Sequence, residues 1–212
     1  MIALPQHGLV FLAMTKCAST AIEAALEPHG QIATRGAPAL KHMHYRGFER
    51  FVQPMLRRTG HPRHSYDVVC VFREPVDWLH SWWRYRSRAE LRPRDAARHG
   101  NYTGDMPFAD FCDAYVTGSD TRATSVGCQS AFVRDRDGEV GVDRIFRYDD
   151  LPVFVDFLSN RIGERIHLDA VNVSPPAELR LPSATRAALR LDLAPEYAIY
   201  DGIDATHHDP VV

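Results

Sequence analysis

The apolar positions of the chain fall into two kinds of pattern. Residues 8–14 (GLVFLAM) and 66–73 (YDVVCVFR) are short continuous apolar runs, as expected of strands covered on both faces of a parallel sheet. Each run gives way to a helical pattern. After the first, the polar loop TKCAST leads into AIEAAL, with Ser19 and Thr20 where a helix N-cap belongs. After the second, Glu74 and Pro75 open the segment VDWLHSWWRYRSR, which places Trp78, Leu79, Trp82 and Trp83 on one helical face. The chain therefore begins with two strand–turn–helix units.

Further on, RIFRY at 144–148 predicts another strand and 151–162 the helix that follows it. Short helices are predicted near 107–116 and 124–133, and a last one at 183–193. Residues 89–106 are polar and read as a long, mobile loop of the kind that often carries function. Tyr197 to Val212 reads as a polar tail. Strands alternating with helices predict an α/β fold around a mainly parallel sheet. A length of 212 residues suits a single domain, 1–212, with a full core.

Composition narrows the class. Hydrophobic residues make up 45% and charged residues 25%, a globular balance that excludes disorder or a coiled coil as the whole description. A net charge of −2 argues against a dedicated nucleic-acid partner. No apolar run approaches the roughly 20 residues that span a bilayer. No basic residue precedes Lys16, so no signal peptide is expected. Cys17, Cys70, Cys112 and Cys128 are irregularly spaced with no CxxC pair, which disfavours a disulfide scaffold or a zinc ribbon. The expectation is a soluble, cytoplasmic protein without a membrane segment. Of 25 basic residues, Lys16 and Lys41 are the two lysines, and both merit inspection.

Candidate chemistry concentrates at the two strand–helix turns. In Lys16-Cys17-Ala18-Ser19-Thr20, small residues let backbone amides approach a ligand, and the helix N-terminus adds unpaired N–H groups. Lys16 supplies a full positive charge, and Ser19 and Thr20 supply hydroxyls. This combination suits a phosphate or a sulfate; an ordinary capped helix beside a lysine fits the same residues. GxxxxGK[ST] is absent, which disfavours a kinase or NTPase. Arg73 ends the second strand and offers a fork of donors matched to phosphate oxygens. Ser81 follows eight residues later, within the helix. The plainer alternative is a surface pairing of Arg73 with Glu74 or Asp77.

Taken together, KCAST after GLVFLAM, and VCVFREPVDWLHSWWRYR with its Arg73 and Ser81, resemble the sulfotransferases that use 3'-phosphoadenosine 5'-phosphosulfate (PAPS), closest in style to the carbohydrate branch (Golgi-type and bacterial). RIFRYDDL and VNVS resemble later segments of that family more weakly. The departure is Cys17-Ala18, where many relatives have Thr-Gly or Gly-Gly. The resemblance implies a P-loop-like three-layer α/β sandwich. It implies PAPS as sulfuryl donor, held by Lys16, Cys17, Ala18, Ser19 and Thr20 at the phosphosulfate and by Arg73 and Ser81 at the 3'-phosphate. The acceptor would be a hydroxyl or amine of a glycan or small molecule.

Such a transfer is in-line, so positioning dominates. Lys16 and the loop amides would stabilise charge growing on the leaving phosphate. A sulfuryl group carries less charge than a phosphoryl group, so no metal is expected. The acceptor must lose a proton, and His42, in Lys41-His42-Met43-His44, is the leading general base. His44 and Glu23 are the reserves. Arg84, Arg86, Arg88, Arg92, Arg94 and Arg98 either grip an anionic substrate or form a solvated face. Trp82 and Trp83 either stack on a sugar or pack in the core. Gln129, Asn172 and Ser174 are polar candidates without a spacing argument. Two other readings stand beside the transferase. Cys128 and Arg134 form a C-x5-R match to a cysteine phosphatase, though without the glycines of a phosphate loop. The same scaffold would also serve as a non-catalytic nucleotide- or glycan-binding module.

Overall fold

The computed structural model describes residues 1–93, 95, 98–119, 122–169, 177–179 and 181–203. Arg94, Asn172, Ser174 and the tail from 204 onward lie outside them. In chain order the elements are β1 (Ile2–Leu4), β2 (Leu9–Phe11), α1 (Ser19–Leu26), β3 (Ile32–Ala33), α2 (Pro38–Lys41), α3 (Tyr45–Gly47), α4 (Gln53–Arg58), β4 (Asp67–Phe72), α5 (Pro75–Arg86), α6 (Phe108–Thr117), α7 (Gln129–Val133), β5 (Arg144–Arg147), α8 (Leu151–Ile162), α9 (Ser183–Asp192) and α10 (Ala194–Asp201). One π-helical stretch, Phe48–Val52, joins α3 to α4.

The strand order is β3-β1-β2-β4-β5. β2 pairs parallel with β4, with Val10 opposite Val68, and β4 pairs parallel with β5, with Cys70 opposite Ile145. β1 runs antiparallel to both β2 and β3. The sheet is therefore mixed, and the expected mainly parallel sheet is only its β2-β4-β5 half. The cause is local. Pro5–Gly8 is too short a link for the crossover that a parallel pairing needs, and Gly8 closes it at φ 62°. β1 itself offers only three residues of pattern, too few to reveal a period.

Every residue of β1 and β2, and all of β4 after Asp67, is buried. Both faces of the central strands are covered, which is why these runs read as continuous rather than alternating. Phe11, Phe146 and Phe154 pack ring against ring and seat α8 on β2 and β5. A cluster of buried apolar side chains extends from Met1 to Ile203.

Other expectations shift in detail. The strand predicted at 8–14 has three ladder residues, after which Leu12 N–H still reaches Val69 C=O at 2.9 Å. The helix predicted at 124–133 shrinks to α7. The supposed tail is helical to Asp201, because Glu196, Tyr197 and Ile199 are buried anchors. The described residues of 89–106 include two 3-10 turns, Ala89–Leu91 and His99–Asn101, and are tied down. Thr103 is fully buried and donates to Trp83 C=O at 2.6 Å, and Trp83 Nε1 donates to Met106 C=O at 2.8 Å. Among the described residues no helix is long and apolar enough to cross a membrane.

The consequence for function lies at the carboxyl ends of β2 and β4. As parallel neighbours they deliver the loop before α1 and the turn before α5 to the same edge of the sheet, the usual place for a ligand in such folds.

Candidate functional site

The loop between β2 and α1 is strained. Among the described residues, Lys16 (φ 62°) and Ala18 (φ 55°) are the two non-glycine residues in the left-handed region. That conformation costs an ordinary residue about 1–2 kcal/mol, and such strain collects at ligand sites.

The surrounding structure holds the loop by its carbonyls. Ala13 C=O is met by His42 Nδ1 at 2.7 Å, Thr15 C=O by Trp78 Nε1 at 2.9 Å and Lys16 C=O by Arg73 Nη1 at 3.1 Å. Cys17 is buried, with its sulfur 3.6 Å from Gln129 Oε1. Ser19 and Thr20 do not cap α1. They are its first two residues, Ala18 is the N-cap, and no side chain bonds the cap position. With the carbonyls taken up on one side and the first amides of α1 lacking intrahelical acceptors, the loop has the composition of an anion cradle. Ser19 is buried, and Thr20 Oγ1 accepts from Lys41 Nζ at 3.1 Å.

Arg73 joins the two motifs. Its backbone exchanges two hydrogen bonds with the Gln129 side chain, N–H to Oε1 at 3.0 Å and Nε2–H to C=O at 2.9 Å. Its side chain is 8% exposed, donates from Nε to Asp77 Oδ2 at 2.5 Å and lies over Tyr148. The pairing with Asp77 foreseen as the plainer alternative thus exists, but it is half-buried, and Arg73 also braces the Lys16 carbonyl. Glu74 caps α5 by accepting from Asp77 N–H at 2.7 Å. Ser81 lies one turn beyond Asp77 and is only 3% exposed. Arg73 and Ser81 are thus both buried, and Arg73 turns toward the Lys16 carbonyl.

Lys16 sends its ammonium toward α5, 4.1 Å from the Tyr85 ring centre and 5.9 Å from that of Trp82. Burial, and then the charges of Arg73, Arg88 and Arg84, lower its pKa to about 7. Burial pushes the Cys17 thiol up to about 12, so it is no nucleophile at neutral pH.

His42 stands on the other flank. Because Ala13 C=O can only accept, Nδ1 carries the proton and Nε2 is the unprotonated nitrogen. Burial lowers the pKa of His42 from its ordinary value. With His44, Thr15, Trp78 and Cys128 it lines a cavity of about 80 Å³. Burial lowers His44 in the same way, and its ring packs on Phe132 at 4.9 Å. Glu23 is elsewhere. It sits 3.6 Å from Lys41 Nζ and lines an open groove of about 360 Å³ with Thr20 and Arg35. The three candidate bases are thus divided, two in the small cavity and one in the groove, with the two ends of the loop contributing Thr15 and Thr20.

The remaining candidates resolve into packing. The residues between Cys128 and Arg134 form α7, whose first turn binds the buried Glu196 carboxylate through Ser130 N–H at 3.0 Å. A carboxylate in that position leaves no phosphate loop there. Trp82 and Trp83 are half-buried, Trp82 edge-on to Trp78 and Trp83 stacked on His80. Gln129 and Trp78 are the site residues that sequence reasoning missed in their roles. Neither carries a spacing signal, because each acts on backbone groups distant in sequence. Among the described residues, no group of three His, Cys, Asp or Glu side chains is arranged to hold a metal ion.

The fold and site define a mixed α/β protein with a braced, cationic loop at the carboxyl end of its sheet. No protein-family model, curated protein or solved structure matches the chain.

Proposed function

We propose that the protein is a PAPS-dependent sulfotransferase acting on a hydroxyl or amine, on a P-loop-like sandwich scaffold. One observation carries the reading: the only non-glycine left-handed residues among those described, Lys16 and Ala18, flank Cys17 in the loop that resembles the phosphosulfate loop. Strain held by three separate braces is hard to explain without a ligand.

The residues fit one end of the donor well. The loop amides and Lys16 would hold the phosphosulfate, and the cations that depress Lys16 supply the positive field an anion needs. The donor, when bound, supplies the sulfuryl group. The protein's part is to fix that group, to stabilise the leaving phosphate through Lys16 and the amides, and to take the acceptor's proton at His42 Nε2. Arg73 and Ser81 fit the 3'-phosphate less well, being buried. That burial favours a second reading, a non-catalytic module that binds a singly phosphorylated or sulfated ligand.

A thermal-shift titration separates the two. At about 100 times its dissociation constant, 3',5'-adenosine bisphosphate should stabilise the protein by roughly 2.7 kcal/mol, with weaker effects from 5'-AMP and ATP. An equal response to all three, or none, would reject the donor assignment.

A further inference from the structure

Among the described residues, the buried and half-buried arginines that reach inward are mostly satisfied. Arg63 and Arg73 meet Asp143 and Asp77 at 2.6 and 2.5 Å. Arg86 is held by the carbonyls of Arg122, Ala123 and Ser125 at 2.6–3.1 Å. Arg147 leaves its Nε unpartnered but places Nη2 on the carbonyls of Tyr200 and Ile203. Arg84 and Arg88 break the pattern. Their Nε atoms are buried without an acceptor among the described residues, and so is Trp82 Nε1. Neither arginine takes part in an ion pair with a described carboxylate.

These orphan donors cluster. Arg84 lies in the last turn of α5 and Arg88 two residues past its end, and the charges of both act on Lys16. The Arg88 guanidinium lies 3.7 Å from the Tyr85 ring centre, and the Lys16 ammonium lies 4.1 Å from the same centre. Two cations share one ring, and the Nε–H groups of Arg84 and Arg88 and the indole N–H of Trp82 need an acceptor. Such a set calls for an oxyanion with several oxygens.

We propose that Arg84 and Arg88 form a second anion site next to the loop, which grips a phosphate or sulfate ester. This deepens the sulfotransferase reading and rests on it for the identity of the ligand. One source of the ester is the donor's 3'-phosphate, with Arg84 and Arg88 replacing the buried Arg73 and Ser81. The other is an acceptor that already carries an ester of its own.

The test is calorimetric titration of wild type and the Arg84→Gln/Arg88→Gln variant with 3',5'-adenosine bisphosphate, 5'-AMP and a sulfated disaccharide. Loss of a charge-assisted bond should weaken the gripped ligand by about tenfold or more per arginine, while 5'-AMP, which reaches only the loop, should change far less. Weakening confined to the bisphosphate assigns the ester to the donor; weakening confined to the disaccharide assigns it to the acceptor. Unchanged affinity for both overturns the site, even where wild-type binding of the bisphosphate upholds the donor reading. Disaccharide binding that is lost in the variant, with no nucleotide bound by wild type, upholds the site and overturns the donor. If the glutamine variant does not fold, Arg84→Lys/Arg88→Lys keeps the charge but removes the Nε–H donors, and it should weaken the same ligand to a lesser degree. Full retention of affinity there overturns the proposal.

Discussion

Gln129→Leu tests how the two halves of the site are held together. Gln129 is 1% exposed. As β4 ends at Phe72, its amide substitutes for a neighbouring strand by giving and receiving one hydrogen bond with the Arg73 backbone, at 2.9 and 3.0 Å. Leucine fills nearly the same volume, so the loss is one of hydrogen bonding rather than of packing. It leaves a buried N–H and a buried C=O without partners. At about 1–3 kcal/mol for each, the expected destabilisation is about 2–6 kcal/mol. For a chain of this size that corresponds to a fall in melting temperature of roughly 5–20 °C. Gln129→Ala should cost more, by the cavity it adds. Urea unfolding followed by tryptophan fluorescence measures both, with an unchanged slope showing that the transition stays comparable. Anion binding should weaken as well, under conditions where the variant is fully folded, because Arg73 carries the Lys16 carbonyl. A Leu variant within about 0.5 kcal/mol of wild type would refute the reasoning, since surface substitutions alone reach that value.

Two further predictions concern proton binding. The Lys16 pKa is lowered to about 7, by burial first and then by Arg73, Arg88 and Arg84. Its charge is present below that pH and lost above it, so affinity for 3',5'-adenosine bisphosphate should fall as pH rises from about 6 to 8, and Lys16→Met should flatten the profile. Stability runs the other way. A lysine whose folded pKa lies below its unfolded value of 10.5 opposes folding most strongly below about pH 7, and the penalty fades between 7 and 10.5. Ligand-free Lys16→Met should therefore melt above wild type at pH 6 by more than at pH 9. His42→Ala should spare nucleotide binding and cut turnover by about 100- to 10,000-fold. Because the His42 pKa is lowered from 6.5, the acid limb of the wild-type rate profile should fall below that pH; unchanged turnover in the variant would move the base to His44 or Glu23.

The legible parts of the fold were those with a continuous pattern. The second unit, 66–73 and the helix after it, matches β4 and α5 closely, because six strand residues and twelve helical ones leave a clear signature. β1 and β3 are only three and two residues long, so nothing in the local pattern distinguishes them from loop. α10 was hidden by its polar composition. Glu196 is buried there only because Ser130 and the first turn of α7 satisfy it. The same limit governs the site. Lys16, Arg73 and His42 could be picked out by type and order. That Arg73 serves the Lys16 carbonyl, and that Gln129 holds Arg73, depends on contacts 57 and 56 residues apart, which no window along the chain contains.

The absence of glycine from the loop links these levels. A glycine at position 18 would adopt φ 55° without strain. Alanine adopts it only when the rest of the structure imposes it, and the impositions here come from β4 through Arg73, from α5 through Trp78 and from the segment after α2 through His42. Each brace is also a candidate for function or stands beside one. The energy that keeps the loop strained is therefore drawn from the same packing that stabilises the sheet edge, and a substitution that loosens that edge should reach the anion site before it unfolds the protein. Position 16 strengthens the point. A left-handed lysine has no small-residue excuse, and its backbone is bent so that the carbonyl meets Arg73 while the ammonium reaches Tyr85. Both ends of one residue are thereby committed, one to holding the loop and the other to the cationic region that an anion would complete.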